Sequence, residues 1–76
     1  MNEKRRKKLK QAAEILKSVA EMISDVKYDE QDCMNNMPEN LQDTERYAAM
    51  EDAVDAIDDA DDFIRSAIES LNEAAA

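Results

Sequence analysis

The chain of 76 residues has no glycine, no histidine and no tryptophan, and only one proline and one cysteine. Without glycine, the positive-φ turns of tight hairpins and the phosphate-cradling loops of nucleotide sites are not expected. Without histidine, the chain lacks the commonest general acid–base side chain and metal ligand. The single Cys33 has no partner for an intramolecular disulfide, which favours a reducing, cytoplasmic setting. We therefore expect no enzyme, no cofactor and no metal.

Long apolar runs are also missing. No stretch approaches the ~20 residues that span a bilayer, and the charged start of the chain does not resemble the apolar core of a signal peptide. The hydrophobic content of 43% is nevertheless too high for an ordinary disordered acidic tail. The remaining composition, rich in Ala, Glu, Lys, Leu and Met, favours helix. The sequence predicts one all-α domain over residues 1–76, with no membrane partner.

Apolar residues in the first half recur in steps of three and four, which predicts an amphipathic helix over about residues 3–34. Its inner stripe is expected to hold two sets of positions seven residues apart. The first set is Leu9, Leu16, Ile23, Glu30 and Met37, and the second is Ala12, Val19, Val26 and Cys33. Ile15 and Met22 flank this stripe on one side, and Ala13 and Ala20 flank it on the other, so it is broader than a two-stranded coiled-coil seam.

The second half repeats with a period of seven, which predicts another helix over about residues 44–73. Three sets of positions form its stripe: Met50, Ile57, Ile64 and Leu71; Tyr47, Val54, Asp61, Ile68 and Ala75; and Ala53, Ala60, Ala67 and Ala74. The alanines allow two helix axes to approach closely. An unpaired buried charge is costly, so we expect Asp61 and Glu30 to lean outward or to mark a less perfectly closed region.

Residues 35–43 separate the two helices and predict a reversal of the chain. Asn35 or Asn36 is expected to adopt the left-handed conformation, and Pro38 to open a short helical turn. Either Asp43 or Thr44 is expected to cap the second helix. The result is an antiparallel two-helix hairpin, coiled-coil-like, in which positions level with each other add up to 80.

Such broad apolar stripes are not covered by a hairpin of two helices. Small helical domains commonly gain stability by associating, so we expect a homodimer that forms a four-helix bundle. The candidate contacts between hairpins are Ile15, Met22, Ala53, Ala60, Phe63 and Ala67.

The net charge is −9, and seven carboxylates with no base lie between Arg46 and Arg65. One interpretation is a solvated face that keeps the protein soluble, and the other is a surface that binds a basic protein. The candidate partner-binding residues are Glu51, Asp52, Asp55, Asp58, Asp59 and Asp62. Four of them have the spacing to hold a divalent cation weakly, but the glycine of an EF-hand loop and the histidines of a bundle di-iron site are missing.

Six basic side chains precede residue 11, against the single acid Glu3. They are Lys4, Arg5, Arg6, Lys7, Lys8 and Lys10, candidates for contact with phosphates. No aromatic residue or base-reading motif accompanies them, so specific nucleic-acid recognition is not expected. The alternative is pairing with Glu69 and Glu73 of the second helix.

The segment from Asn36 to Arg46, followed by the Ala/Asp/Ile repeats, resembles small uncharacterised helical proteins carried by prophages and mobile elements of Firmicutes, over most of the chain. This resemblance implies a phage-type accessory role, such as inhibition of a host protein, and it assigns no functional residues. The function expected is a protein-interaction module with an acidic face, which would be a DNA-mimic inhibitor if its target surface normally holds nucleic acid. The alternatives are a purely structural, self-associating module and a weak nucleic-acid contact through the basic N-terminus.

Overall fold

A computed structural model describes residues 1–42 and 44–76. Two long helices, α1 (Glu3–Asn35) and α2 (Glu45–Ala74), are joined by a segment that contains one 3₁₀ turn (Glu39–Leu41). The described residues include no strand, so the expected all-α hairpin is confirmed. The helix ends lie within one residue of those expected. The hairpin is a rod with Cα extents of 59 × 14 × 12 Å.

Each helix begins at a polar side chain that accepts a hydrogen bond from the first turn. Asn2 Oδ1 accepts from the backbone N–H of Arg5 at 2.9 Å, and Thr44 Oγ1 accepts from that of Tyr47 at 3.4 Å. The Thr44 hydroxyl also donates to the carbonyl of Leu41 at 2.7 Å. Thr44 is therefore the cap of α2, while the alternative, Asp43, lies outside the described residues.

The described residues of the reversal, 35–42 and 44, include none in the left-handed conformation. No described residue has a positive φ, and Asn36 at the end of α1 has φ −91° and ψ −1°. The expectation for Asn35 or Asn36 was therefore wrong. The backbone N–H of Met37 bonds to the carbonyl of Met34 at 3.2 Å, and Pro38, at ψ 143°, redirects the chain into the 3₁₀ turn. Asn36, Pro38 and Gln42 have right-handed or extended conformations, which suits a chain with no glycine.

The inner stripe of α1 differs from the expected one in part of its second set of positions, because Val26 and Cys33 are exposed, whereas Ala12 and Val19 are half-buried like Leu9 and Leu16. Ala13 is 1% exposed and Ala20 is 4% exposed, whereas Val26 is 57% exposed. The seam therefore combines the first expected set, from Leu9 to Met37, with a second set of residues that recur every seven positions: Ala13, Ala20, Lys27 and Met34. Small side chains at the contact allow α2 to lie closer to α1 than valines at the same points would. On α2 the sets that begin with Tyr47 and Met50 face inward, as expected.

The expected register was also wrong. Asp58 was expected level with Met22, but it accepts a hydrogen bond from Lys27, which lies further along α1. α1 has more residues between Glu3 and Lys27 than α2 has between Asp58 and Ala74. The difference is about eight residues, so α1 extends about 12 Å past the end of α2 at the helical rise of ~1.5 Å per residue. We call this part, residues 3–10, the N-terminal overhang.

The core of the hairpin is thin. The buried hydrophobic residues are Ala13, Ala20, Met34, Val54 and Ala75, and no large side chain among the described residues is completely buried. Tyr47 and Met37 are half-buried near the turn, and Leu41 is exposed there. No helix in the described part of the chain is long and apolar enough to cross a membrane.

Candidate interaction surfaces

The six acids assigned to partner binding lie on the outer half of α2. Glu51, Asp55, Asp58 and Asp62 follow steps of four, three and four residues, which places them on one line of the helix. Asp52 and Asp59 lie seven residues apart, on the neighbouring line of the helix surface. We call these six residues the acidic face. Five of them are exposed, and Asp58 is half-buried because it bonds to Lys27.

Two open grooves show which side of the hairpin carries these acids. One is lined by Gln31 and Met34 of α1 and by Glu51 and Asp55 of α2. The other is lined by Lys17 and Ser24 of α1 and by Arg65 and Ile68 of α2, among others. The stripe of α1 that contains positions 17, 24 and 31 therefore shares one side of the hairpin with most of the acidic face. We call it the polar side.

Lys27 is a seam residue that the sequence reasoning missed. Its ammonium group bonds to the Asp58 carboxylate, and the charges of Asp61 and Asp62 lie nearby. The hydrogen bond to Asp58 raises the pKa of Lys27 above its ordinary value; partial burial acts in the opposite direction, and the three carboxylate charges add to the rise. One signal was available: each inner stripe holds a charge of opposite sign, Lys27 on α1 and Asp61 on α2.

Asp61 does not lean outward as expected, since only 19% of its side chain is exposed. Its Oδ2 accepts a hydrogen bond from Arg65 Nε at 2.9 Å, one turn further along α2. This bond raises the pKa of Arg65 above its ordinary value. Asp61 Oδ1 is buried and has no hydrogen-bond partner. Within the acidic run, Asp58 and Asp61 are therefore paired with basic side chains of the same chain.

The remaining carboxylates of the acidic face are Glu51, Asp52, Asp55, Asp59 and Asp62. All five are exposed, and no ion pair within the described part of the chain involves them. They form a concentrated negative surface, because charges that are not paired internally act on whatever approaches.

A second stripe of apolar side chains runs along each helix outside the seam. On α1, Ile15, Met22 and Val26 are 58%, 67% and 57% exposed, and on α2 Phe63 is 74% exposed. We call the whole set the apolar face: Ala12, Ile15, Val19, Met22, Val26, Ala53, Ala56, Ala60, Phe63 and Ala67. It contains all six residues predicted to join two hairpins. Of these, Ala60 and Ala67 are half-buried and the other four are exposed.

The apolar face lies opposite the polar side. On α1, positions 17 and 24 adjoin the Ala13–Ala20 edge of the seam, whereas positions 12, 19 and 26 adjoin the Leu9–Leu16 edge. On α2, positions 51, 58 and 65 lie at one edge of the seam, and positions 53, 60 and 67 lie at the other edge. The grooves place positions 17 and 24 of α1 on the same side of the hairpin as positions 51 and 65 of α2, so positions 12, 19 and 26 share the opposite side with positions 53, 60 and 67. Both exposed stripes therefore form one continuous surface.

The basic residues occupy the N-terminal overhang. All six are exposed except Arg6, which is half-buried and whose Nε has no hydrogen-bond partner. No ion pair within residues 1–42 and 44–76 joins them to Glu69 or Glu73. The shift in register accounts for this, since it carries the first turns of α1 beyond the end of α2. The intramolecular pairing that we expected is therefore not what the structure contains.

Within the described residues, no group of three or more Cys, Asp or Glu side chains is placed to hold a metal ion. No protein-family model, no curated protein and no solved structure matches the chain. The candidate surfaces are therefore defined by geometry and charge alone: an acidic face, an apolar face on the opposite side, and a basic overhang at one end.

Proposed function

We propose that this protein is a non-enzymatic interaction module, a dimer of helical hairpins that binds a basic protein surface through the acidic face. The observation that carries the proposal is the arrangement of the two faces on opposite sides of the hairpin. If two copies associate through the apolar face, the four acids on the polar side point outward to solvent, and Asp52 and Asp59 lie at the rim of the interface beside Ala56 and Phe63. Self-association and binding of a partner are then compatible in one molecule.

The spacing of the acids favours a partner surface that normally holds nucleic acid. Five unpaired carboxylates lie between Glu51 and Asp62. The residues from Glu51 to Asp62 cover about 17 Å at a rise of ~1.5 Å per residue, so the four intervals between these five charges average about 4 Å along the helix axis. One strand of B-DNA carries one phosphate charge per ~3.4 Å. The acids are thus slightly more widely spaced than the phosphates of one strand, and a protein surface that holds DNA would accept this helix in its place, which makes the module a DNA-mimic inhibitor of phage type.

Charge reversal tests the acidic face. We expect the triple variant Asp55→Lys, Asp59→Lys and Asp62→Lys to lose binding of its basic partner, while its helical circular dichroism stays unchanged, because all three side chains are exposed. The matched control reverses Glu21, Glu69 and Glu73, which are also exposed but lie outside the acidic face. Partners are captured from a lysate of the source organism and identified by mass spectrometry, and duplex DNA is added as competitor.

The control should retain partners that the first variant loses, and DNA should displace them. Equal capture by both variants would exclude the acidic face as the binding surface. Capture that DNA does not displace would leave a basic partner but reject DNA mimicry.

The purely structural alternative is favoured by the apolar face, which needs only a second copy and no other partner. It predicts that purified protein self-associates while neither lysate protein nor DNA is retained. The nucleic-acid alternative is favoured by the basic overhang, which has no ion pair in the described structure. It predicts binding of duplex DNA that falls steeply with salt and is lost when residues 1–10 are removed.

A further inference from the structure

We infer that a second copy of the chain covers the apolar face in antiparallel orientation, so that the basic overhang of each hairpin lies along the acidic turn end of the other. This inference rests on the dimer proposed above and adds its orientation. It is carried by the size of the apolar face and by the opposite charges at the two ends of the rod.

The apolar face is large enough for a stable interface. From Ala12 to the exposed Cys33, which lies seven residues after Val26, α1 presents a stripe about 30 Å long at ~1.5 Å per residue. Two adjacent helices, each about 10 Å across, make the surface about 20 Å wide. Two such faces bury on the order of 1,200 Å², which is the lower end of the range for specific interfaces. A second copy supplies a surface of the same shape and chemistry.

The stripe of α1 changes character at its two ends. Arg5 and Lys8 lie seven residues before Ala12 and Ile15, and Asp29 lies seven residues after Met22. The same line on the helix is therefore basic at the overhang, apolar in the middle and acidic near the turn. A partner stripe that runs in the opposite direction places acid against base at both ends.

The net charges of the two ends support the same orientation. Residues 1–10 contain six bases and one acid, whereas residues 29–52 contain eight acids and only Arg46 as a base. A parallel dimer would place like-charged ends side by side, at separations comparable with the Debye length of about 8 Å. An antiparallel dimer places each overhang level with the partner's residues near the turn. Electrostatics thus favours the antiparallel arrangement, although the apolar contacts are available to both.

The single cysteine reports the orientation. The apolar stripe of α1 from Ala12 to Cys33 has its middle beside Met22, and Cys33 lies about 16 Å beyond that middle along the helix. In the antiparallel dimer the two Cys33 residues are about 30 Å apart at that rise. In a parallel dimer they face each other across one helix–helix spacing of about 10 Å, or not much more.

The experiment uses the full chain with a nitroxide on Cys33, at a concentration where sedimentation equilibrium gives the mass of the assembly. We expect a dimer for which pulsed electron–electron resonance gives the distance of about 30 Å that the helical rise requires. A dominant distance below about 25 Å, which is one helix–helix spacing plus the reach of two labels, would overturn the orientation and leave the proposed dimer standing. A monomer at 100 μM would overturn both, whereas the charge-reversal capture experiment tests the acidic face independently.

A second measurement tests the charge contact. Arg5→Glu with Lys8→Glu reverses two charges that lie on the apolar stripe, whereas Lys4→Glu with Lys7→Glu reverses two that lie on the other side of the same turns. At low salt we expect the first pair to weaken dimerisation at least tenfold and the second pair less than threefold. Equal weakening by both pairs would mean that net charge alone acts and would overturn the contact between overhang and turn.

Discussion

At the scale of single residues, Lys27 and Asp61 show how charges are accommodated in an apolar seam. Each occupies a position where the heptad pattern calls for an apolar residue, and each has a counter-charge nearby: Asp58 for Lys27 and Arg65 for Asp61. The charge of Lys27 is fully compensated by its counter-charge. That of Asp61 is not, because its Oδ1 atom is buried without a hydrogen-bond partner. A buried polar atom in that state lowers stability, because its hydration is lost and not replaced.

We expect Asp61→Leu to stabilise the fold by about 1 kcal/mol, since replacing a partly buried charge with a well-packed apolar side chain is often favourable. Asp59→Leu is the matched control, because it makes the same change at an exposed site of the same helix and should alter stability by less than about 0.5 kcal/mol. Urea denaturation gives both free energies of unfolding. If the Asp61→Leu protein is instead less stable than the native chain, the Asp61 carboxylate stabilises the fold more through Lys27 and Arg65 than its burial costs.

The ion pair of Lys27 predicts a dependence of stability on alkaline pH. Its folded-state pKa is raised above the unfolded value of ~10.4, so its contribution is fully present below that pH and is lost as the pH rises through the folded pKa. The quantity to follow is the melting-temperature difference between the native chain and Lys27→Gln, because it isolates the contribution of this ammonium group. We expect a positive difference from pH 7 to 10 that shrinks above pH 10.5. A difference that stays constant to pH 12 would contradict this role for the ammonium group.

At the scale of the elements, the two helix caps are similar in chemistry but different in consequence. Thr44 begins α2 where that helix packs near the turn, whereas Asn2 begins the overhang, whose first turns extend past the end of α2. We expect Thr44→Ala to lower the free energy of unfolding by about 1 kcal/mol and Thr44→Ser to restore it. Asn2→Ala should change it by less than about 0.5 kcal/mol. Equal effects of the two alanine variants in urea denaturation would show that the overhang is as firmly packed as the start of α2.

The helices and their reversal follow from the sequence, because period, caps and Pro38 all act locally. The choice of seam does not follow, since α1 carries adjacent apolar stripes and hydrophobicity favours the one with Val19 and Val26. The structure instead buries Ala13 and Ala20, whose advantage is close approach to α2 and becomes apparent only when both helices are placed. The predicted register was wrong for the same reason. It depends on the pairing of Lys27 with Asp58 across the hairpin, which becomes apparent only when both helices are placed.

The predicted surfaces fared differently from the seam. The six candidate contacts between hairpins fall on one side of the rod, because the residues that the structure leaves outside the seam keep the same seven-residue period. The acidic face is exposed as its composition suggested, except where Lys27 takes Asp58. A partner's choice of surface depends on molecules other than this chain. The period and charge of the sequence therefore lead only to proposals about which surface is covered.

At the scale of the whole molecule, the hairpin has little core for its length. Five buried residues, three of them alanine, stand against an exposed stripe with isoleucine, methionine, valine and phenylalanine. Hydrophobic burial contributes roughly 25 cal/mol per Å², so covering the apolar face would add substantially to what the seam alone provides. The proposed dimer would then be part of the folding equilibrium and not a separate event.

If association and folding are coupled, the melting temperature should rise with protein concentration, because mass action favours the associated native state. Phe63→Ser should lower the melting temperature and weaken dimerisation at least tenfold, as expected for an aromatic anchor within an interface. Tyr28→Ser is the control: Tyr28 is 73% exposed against 74% for Phe63, but it lies next to Ser24 and Gln31 on the polar side. It should leave both quantities nearly unchanged. Calorimetry from 10 to 500 μM distinguishes the cases, and a melting temperature independent of concentration would assign all of the stability to the single hairpin.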